Sequence, residues 1–229
     1  MIKKKIKKIP IIGELAWKTY RQLKGAKNFT TSDKYWEERY KNGDNSGAGS
    51  YNKLAEFKAE VINSFVDKND ISTVIEFGCG DGNQLKYFNF KSYIGYDVSK
   101  TVISLCRNLY KKDASKQFDL IENHSSETAD LTLSLDVIYH LVEDETYFNY
   151  MKKVFSSSNK FTIVYSSDSD NHENNNIEPH VKHRNFTKWV KNNAPQFKLI
   201  QHIPNKYSYN GNGECSSYAD FFIFQKQDC

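Results

Sequence analysis

The chain has 229 residues, of which 38% are hydrophobic and 14% aromatic, enough for one packed domain, so a globally disordered chain is excluded. The mean hydropathy of −0.71, with no apolar run near the roughly 18 residues of a membrane helix, excludes a membrane-spanning segment. None of the four cysteines forms a C-x-x-C pair, so no zinc ribbon or other metal site is expected, and a reducing compartment such as the cytoplasm is indicated.

The net charge of +4 is unevenly distributed along the chain. Residues 1–27 hold nine basic residues and one acid, a net charge of +8, which leaves −4 for the remainder. We therefore predict a basic amphipathic N-terminal segment over 1–29. Two interpretations stay open: a helix lying peripherally on the inner face of an anionic membrane, and a helix docked on the domain. The acidic remainder does not support a nucleic-acid-binding surface.

A helical cap is predicted over 30–70, because a glycine-containing loop at 42–50 precedes an amphipathic helix at 51–68. From 71 to 229 short β-branched runs alternate with helical segments, which indicates one catalytic domain of the α/β class. The predicted strands are 72–77, 92–96, 117–121, 129–135, 160–166, 197–203 and 218–225. Three helices are predicted among them: one that follows the second strand and ends near 110, one at 144–155 and one at 186–192. This order predicts a mostly parallel sheet with helices on both faces and a closing antiparallel pair of strands. In such a sheet, ligands bind at the C-terminal ends of the parallel strands.

The most informative segment is a glycine-rich turn, Glu76-Phe-Gly-Cys-Gly-Asp-Gly82, which follows the first strand and is predicted to open a helix. Glycines at this bend remove Cβ atoms where a ligand approaches the backbone. Asp97 ends the next strand, where a carboxylate can accept hydrogen bonds from both ribose hydroxyls of a nucleoside. Strand, turn, strand and acid in this order predict a nucleoside-binding site.

The charges around this turn discriminate between two cofactors. Dinucleotides use a G-x-G-x-x-G spacing, whereas the spacing here is G-x-G-x-G, and carboxylates at Glu76 and Asp81 would repel a diphosphate. The same carboxylates favour a zwitterionic ligand that carries a sulfonium, whose ammonium group they can receive. This argument favours S-adenosylmethionine over NAD.

These motifs resemble those of the class I S-adenosylmethionine-dependent methyltransferases. Residues 76–82 look like motif I of that family, 93–99 like its acidic-strand motif and 130–141 like its motif IV. The resemblance implies a Rossmann-like, seven-stranded, mostly parallel sheet with an antiparallel last strand. It also implies cofactor contacts at Glu76, Gly78, Gly80, Asp97, Leu135 and Asp136, and more loosely adenine contacts at Glu122 and Asn123.

Two upstream segments, 35–40 and 47–50, resemble the cofactor-covering region of some bacterial methyltransferases of capsule and surface-polysaccharide biosynthesis. That resemblance implies O-methylation of a small polar or anionic metabolite or glycan precursor, with a capsular phosphoramidate group among the acceptors to consider. Motif I itself carries no information about the acceptor.

Histidines supply the candidate residues for the chemistry. His140 follows the fourth strand at the ligand-binding edge, and an imidazole suits a general base; Tyr139 is a second catalytic candidate. After the fifth strand, His180, His183 and Arg184 are candidates for contacting the acceptor, with Arg184 able to clamp an anion. Structural roles for these five residues are the alternative in each case.

Other functions remain as alternatives: a nucleic-acid or protein methyltransferase, a NAD-dependent oxidoreductase, and a non-catalytic cofactor-binding protein. Amino-methylating DNA enzymes carry a proline motif after the fourth strand, whereas residues 135–140 here contain no proline. The sequence leaves open whether the chain is a monomer or a homo-oligomer.

Overall fold

A seven-stranded sheet forms the centre of the structure, a computed structural model that describes residues 29–170 and 178–227. The strands run in the order β3-β2-β1-β4-β5-β7-β6 across the sheet. They are β1 (Thr73–Phe77), β2 (Ser92–Asp97), β3 (Lys116–Leu120), β4 (Ala129–Leu135), β5 (Ser158–Ser166), β6 (Phe197–Ile203) and β7 (Asp220–Lys226). The predicted segment 1–29 lies outside the described residues except for its last position.

Strand pairing confirms the predicted fold class. From β3 through β5 all neighbouring strands are parallel, whereas β7 is antiparallel to both β5 and β6. The parallel order reverses between β1 and β4, so the ends of these two strands open a crevice at the C-terminal edge of the sheet. Both the glycine turn and the fourth-strand motif leave the sheet at this crevice.

Helices cover both faces of the sheet, as predicted. They are α1 (Ser32–Lys41), α2 (Asn52–Lys68), α3 (Lys100–Leu109), α4 (Asp144–Ser156) and α5 (Phe186–Asn193). One core cluster joins the apolar face of α2 to the sheet, and the other joins α4 and α5 to the opposite face. Alternation along β1 sends Val74 into the first cluster and Ile75 and Phe77 into the second.

The helix predicted after the glycine turn is absent, which corrects that expectation. Only a short 3₁₀ turn, Gln84–Tyr87, lies between β1 and β2. Phe88 and Phe90 are buried directly after it, so the chain is drawn into the core instead of extending a helix over the sheet. The apolar side of α2 packs in this same core cluster and supplies the cover that the missing helix would have given.

No helix within the described residues is long and apolar enough to span a membrane.

Candidate functional site

The glycine turn is fixed against the end of the neighbouring strand, since the backbone N–H groups of Gly78 and Cys79 both donate to the carbonyl of Tyr96. Gly78 and Gly80 have φ angles of +81° and +56°, a region that side chains disfavour. A Cβ at Gly78 would collide with the side chain of Val137, and a Cβ at Gly80 with Ser46. The turn therefore requires glycine for both backbone conformation and close packing.

Asp97 lies beside the turn, at the end of β2, with 7% of its surface exposed. One carboxylate oxygen accepts from the backbone N–H of Gly80 at 3.0 Å, and the other from that of Ser99 at 3.0 Å. Burial raises the pKa of Asp97 to about 6, although these N–H groups oppose the rise. Each oxygen has a second lone pair for another donor, such as a sugar hydroxyl.

Glu76 is the second buried carboxylate beneath the turn and is 5% exposed. The Tyr93 hydroxyl donates to it at 2.6 Å, across the β1–β2 pair. Burial raises the pKa of Glu76 to about 7, so the carboxyl is partly protonated at neutral pH in the absence of a bound cation.

Asp81 was expected to receive the ammonium group of the ligand, but its carboxylate accepts hydrogen bonds from the helical cap. It accepts from the backbone N–H of Ser46 at 2.9 Å and from the hydroxyl of Tyr51 at 2.7 Å, while its own N–H donates to Ser46 Oγ at 2.8 Å. The loop between α1 and α2 is thereby held directly on the glycine turn.

A second anchor of the cap is Glu37 on α1, which sequence analysis missed. Its carboxylate caps the first turn of α3, accepting from Ser99 Oγ at 2.5 Å and from the N–H and hydroxyl of Thr101 at 3.2 and 2.9 Å. Burial would raise the pKa of Glu37, but the hydrogen bonds from Ser99 and Thr101 outweigh it and lower the pKa to about 2. No local pattern signalled this contact, which spans more than sixty residues of sequence.

Asp136, directly after β4, adopts a left-handed φ of +60°. Its oxygens are shared between two partners: the ammonium of Lys58 at 2.5 Å and the hydroxyl of Tyr139 at 2.7 Å. Lys58 projects from α2 with no exposed surface, its Nζ 5.1 Å from the ring centre of Tyr165. Sequence analysis missed Lys58; the available signal was its place among the apolar residues of α2. Leu135, just before Asp136, is buried at the strand end.

His140 lies in a stack of rings at the same edge of the sheet. Its ring is nearly parallel to that of His180 at 5.3 Å, which in turn stacks on Tyr35 at 4.3 Å, and the indole of Trp36 approaches His140 edge-on at 5.0 Å. Burial lowers the pKa of His140 to about 4, so the imidazole is neutral at physiological pH.

The tautomer of His140 follows from its hydrogen bond. Nδ1 is 3.1 Å from the backbone carbonyl of His180, an acceptor only, so Nδ1 carries the proton and donates it to this oxygen. Nε2 is then the nitrogen with a lone pair, able to accept a proton.

The other two candidates for acceptor contact differ in their surroundings. His183 is 2.5 Å from Ser167 Oγ through Nδ1, and its ring centre lies 5.7 Å from that of Tyr139. Arg184 donates to the carbonyls of Leu141 and Val142 and to Asp144, at 2.7, 2.9 and 2.8 Å. The structure thus brings His140, His180 and His183 together, whereas the guanidinium of Arg184 ties the chain after β5 to the start of α4.

The charge of the glycine-turn region fits a cationic ligand. Within residues 29–170 and 178–227, none of the carboxylates of Glu76, Asp81 and Asp97 forms an ion pair with a basic side chain. In the same ranges no group of three or more His, Cys, Asp or Glu side chains is placed to hold a metal ion. Buried acids that form no ion pair favour a ligand that brings positive charge.

Comparison with known proteins finds one family profile that matches the part of the chain holding this site. A family profile described as "Methyltransferase domain" matches residues 75–163, which include the glycine turn, Asp97, Asp136 and His140. None of the curated proteins compared with the sequence matches it significantly.

Several solved structures share the fold. The N-methyltransferase NodS from Bradyrhizobium japonicum WM9, in complex with S-adenosyl-L-homocysteine, is 11% identical, with a TM-score of 0.63 over 87% of this chain and 100% of that one. Magnesium protoporphyrin IX methyltransferase from Synechocystis PCC 6803, with bound S-adenosylmethionine, is 11% identical, with a TM-score of 0.60 over 87% and 99%. The bacterial CtHen1-C methyltransferase domain is 16% identical, with a TM-score of 0.58 over 77% and 100%.

At these identities the solved structures show the fold alone, and the matching profile supplies the activity. The strand order, the glycine turn with its buried acids, and the methyltransferase profile agree with one another. The chain is an S-adenosylmethionine-dependent methyltransferase with the class I fold.

Proposed function

We propose that this enzyme methylates a hydroxyl oxygen of a small polar metabolite or glycan precursor, with His140 as the general base. The observation that carries the proposal is the imidazole of His140: it is neutral, and its Nδ1–H bond to the carbonyl of His180 leaves Nε2 to take a proton. The context of capsule or surface-polysaccharide biosynthesis is supported by the sequence resemblance alone.

In the proposed cofactor site, Gly78 and Gly80 let the ligand approach the backbone, and Asp97 accepts hydrogen bonds from the ribose. Glu76 faces the cationic end of the ligand, and Leu135 and Asp136 form the wall at the end of β4. When bound, S-adenosylmethionine supplies a methyl group already activated on a sulfonium, so the protein has only to align the acceptor and remove its proton.

In the proposed acceptor site, His140 Nε2 takes the hydroxyl proton while the new O–C bond forms and the S–C bond breaks, the electron pair staying on sulfur. Tyr139 is held by Asp136, and His180 and His183 complete a wall of aromatic rings and polar nitrogens beside it. Arg184 has a positioning role in this proposal, because its donors already serve Leu141, Val142 and Asp144. This arrangement favours a neutral hydroxyl over a phosphoramidate as the acceptor.

A methyl-release assay tests the acceptor class. The purified protein is incubated with S-adenosylmethionine and matched panels of sugars, sugar phosphates, phosphoramidates, amines and oligonucleotides, and production of S-adenosylhomocysteine is followed. The proposal expects turnover with neutral polyhydroxyl compounds that exceeds turnover with the amines and oligonucleotides. Preferred turnover of an amine or an oligonucleotide would contradict it.

Replacing Asp97 with asparagine should weaken S-adenosylmethionine binding by about 1.5–3 kcal/mol, because charge-assisted hydrogen bonds to the ribose are lost. Calorimetry measures the affinity, and circular dichroism confirms that the variant is folded. The control is Asp113→Asn, in the loop before β3, where the carboxylate accepts from the N–H and hydroxyl of Ser115 instead of facing the turn. Equal affinity of wild type and the Asp97 variant would remove this residue from the site.

The affinity for S-adenosylmethionine should rise with pH between about 5 and 8. Unliganded Glu76 and Asp97 have pKa values raised to about 7 and about 6, and a bound cation lowers both, so binding releases protons and is favoured as pH rises. Calorimetry at a series of pH values measures the slope, and Glu76→Gln should flatten it. An affinity independent of pH in the wild type would contradict the placement of Glu76 and Asp97 against the cofactor.

A further inference from the structure

A basic surface, here called the lysine patch, lies at the β6 edge of the sheet. It comprises Lys188 and Lys191 on α5, Lys198 on β6, and the neighbouring Leu199 and Ile200. All three lysines are exposed, and none forms an ion pair within the described part of the chain. The sequence from 185 to 203 contains no acidic residue, although the chain beyond residue 27 carries a net charge of −4.

The patch surrounds a groove between α5 and β6. The groove has a volume of about 550 Å³, with an apolar floor that includes Val190, Phe197 and Phe224 and with the three lysines on its walls. The nearest carboxylates on the preceding loop, Asp168 and Asp170, accept hydrogen bonds from Thr187 and Asn185 at the N-terminal end of α5. Within the described residues, neither carboxylate forms an ion pair with Lys188, Lys191 or Lys198, so the three ammonium groups are free to meet anionic groups from outside.

Two aliphatic side chains project beside these charges. Leu199 and Ile200 each keep 47% of their surface exposed on the edge strand. The pairing of β6 with β7 shifts register between Leu199 and Gln201, a bulge that disrupts the regular edge. Exposed aliphatic groups among lysines are suited to the boundary between lipid headgroups and acyl chains.

We propose that the lysine patch binds the surface of a membrane that contains anionic lipids. Its charge is complementary to acidic headgroups, and Leu199 and Ile200 can enter the interface while the lysines bind phosphate and carboxylate groups. A second copy of the chain is a poorer occupant, because edge-to-edge pairing would bring Lys198 against the lysines of its neighbour, and the bulge opposes regular strand pairing. This inference is independent of the proposed acceptor.

Co-sedimentation of the full chain with vesicles tests the proposal. The vesicles are phosphatidylcholine alone or phosphatidylcholine with about one third phosphatidylserine. The wild type is compared with K188E/K191E/K198E and with a control triple variant of equal charge change, K91E/K111E/K112E, whose lysines are exposed toward the opposite, β3 edge of the sheet. A third variant, L199N/I200N, removes the aliphatic groups and leaves the charge unchanged.

The wild type should bind the anionic vesicles, and the patch triple variant should lose at least about tenfold in partitioning while the control triple loses less than about twofold. L199N/I200N should also bind more weakly. Equal losses in the two triple variants would assign binding to overall charge or to residues 1–27 and overturn the proposal. The proposal would also be overturned if the wild type did not bind anionic vesicles or bound an oligonucleotide more tightly than vesicles. Self-association of the wild type that the patch substitutions abolish would overturn it as well.

Discussion

Replacing Lys58 with methionine should lower the free energy of unfolding by about 3–5 kcal/mol, the cost of leaving one partner of a buried ion pair without the other. Lys58 has no exposed surface, and its ammonium lies 2.5 Å from Asp136, so methionine fills the space but removes the charge that balances the carboxylate. Chemical denaturation followed by circular dichroism measures the change.

Two companion variants separate the ion pair from general effects on α2. Lys68→Met, at the exposed end of the same helix, should change stability by less than about 0.5 kcal/mol. The double variant K58M/D136N should recover part of the loss, because it removes both charges and asparagine tolerates the left-handed conformation of residue 136. A Lys58 variant as stable as the Lys68 control would contradict the buried ion pair.

Replacing His140 with glutamine should lower kcat by about 10²- to 10⁴-fold, the usual contribution of a general base. The affinity for S-adenosylhomocysteine should stay within about threefold of wild type, since this side chain faces the acceptor in our proposal. His202→Gln, at an exposed histidine paired with Asp220 on the far edge of the sheet, is the matched control and should retain full activity. The measurement is turnover with the acceptor that the panel identifies.

The pH profile adds a second test of His140. A general base acts when deprotonated, and burial lowers the pKa of His140 to about 4, so kcat should be flat from pH 6 to 8 and fall as the pH drops through about 4. A kcat at saturating S-adenosylmethionine that declines already below pH 7, or a glutamine variant with wild-type kcat, would assign proton removal to another group.

The seven strands could be predicted because each is marked by a local pattern, whereas local patterns do not give their order across the sheet. β4 was predicted with its observed ends, since apolar and polar residues alternate through Ala129–Leu135, and the antiparallel closing pair was predicted from two late segments with the pattern of strands. The prediction of a helix after the glycine turn was wrong because tertiary packing decides the conformation there. Phe88 and Phe90 enter the core, and α2 already packs in that cluster. Local helix propensity carries no information about which segments pack in the core.

In the candidate site, too, features with a local sequence signal could be predicted, and contacts between distant segments could not. Glycine spacing and the acid at the end of β2 are local signals, and topology alone brings the segments after β4 and β5 to one edge, which explains the proximity of His140, His180 and His183. The cap partners of Asp81 and Glu37 and the ion-pair partner of Asp136 lie about thirty to eighty residues away, so no window of sequence reveals them.

A crystal structure of the protein grown with excess S-adenosylhomocysteine tests the central claim most directly. The account predicts the ribose hydroxyls within hydrogen-bond distance of the Asp97 carboxylate, the ligand backbone over Gly78 and Gly80, and the sulfur on the side facing His140. A glycine turn that holds no nucleoside under these conditions, or a nucleoside bound elsewhere on the protein, would contradict it.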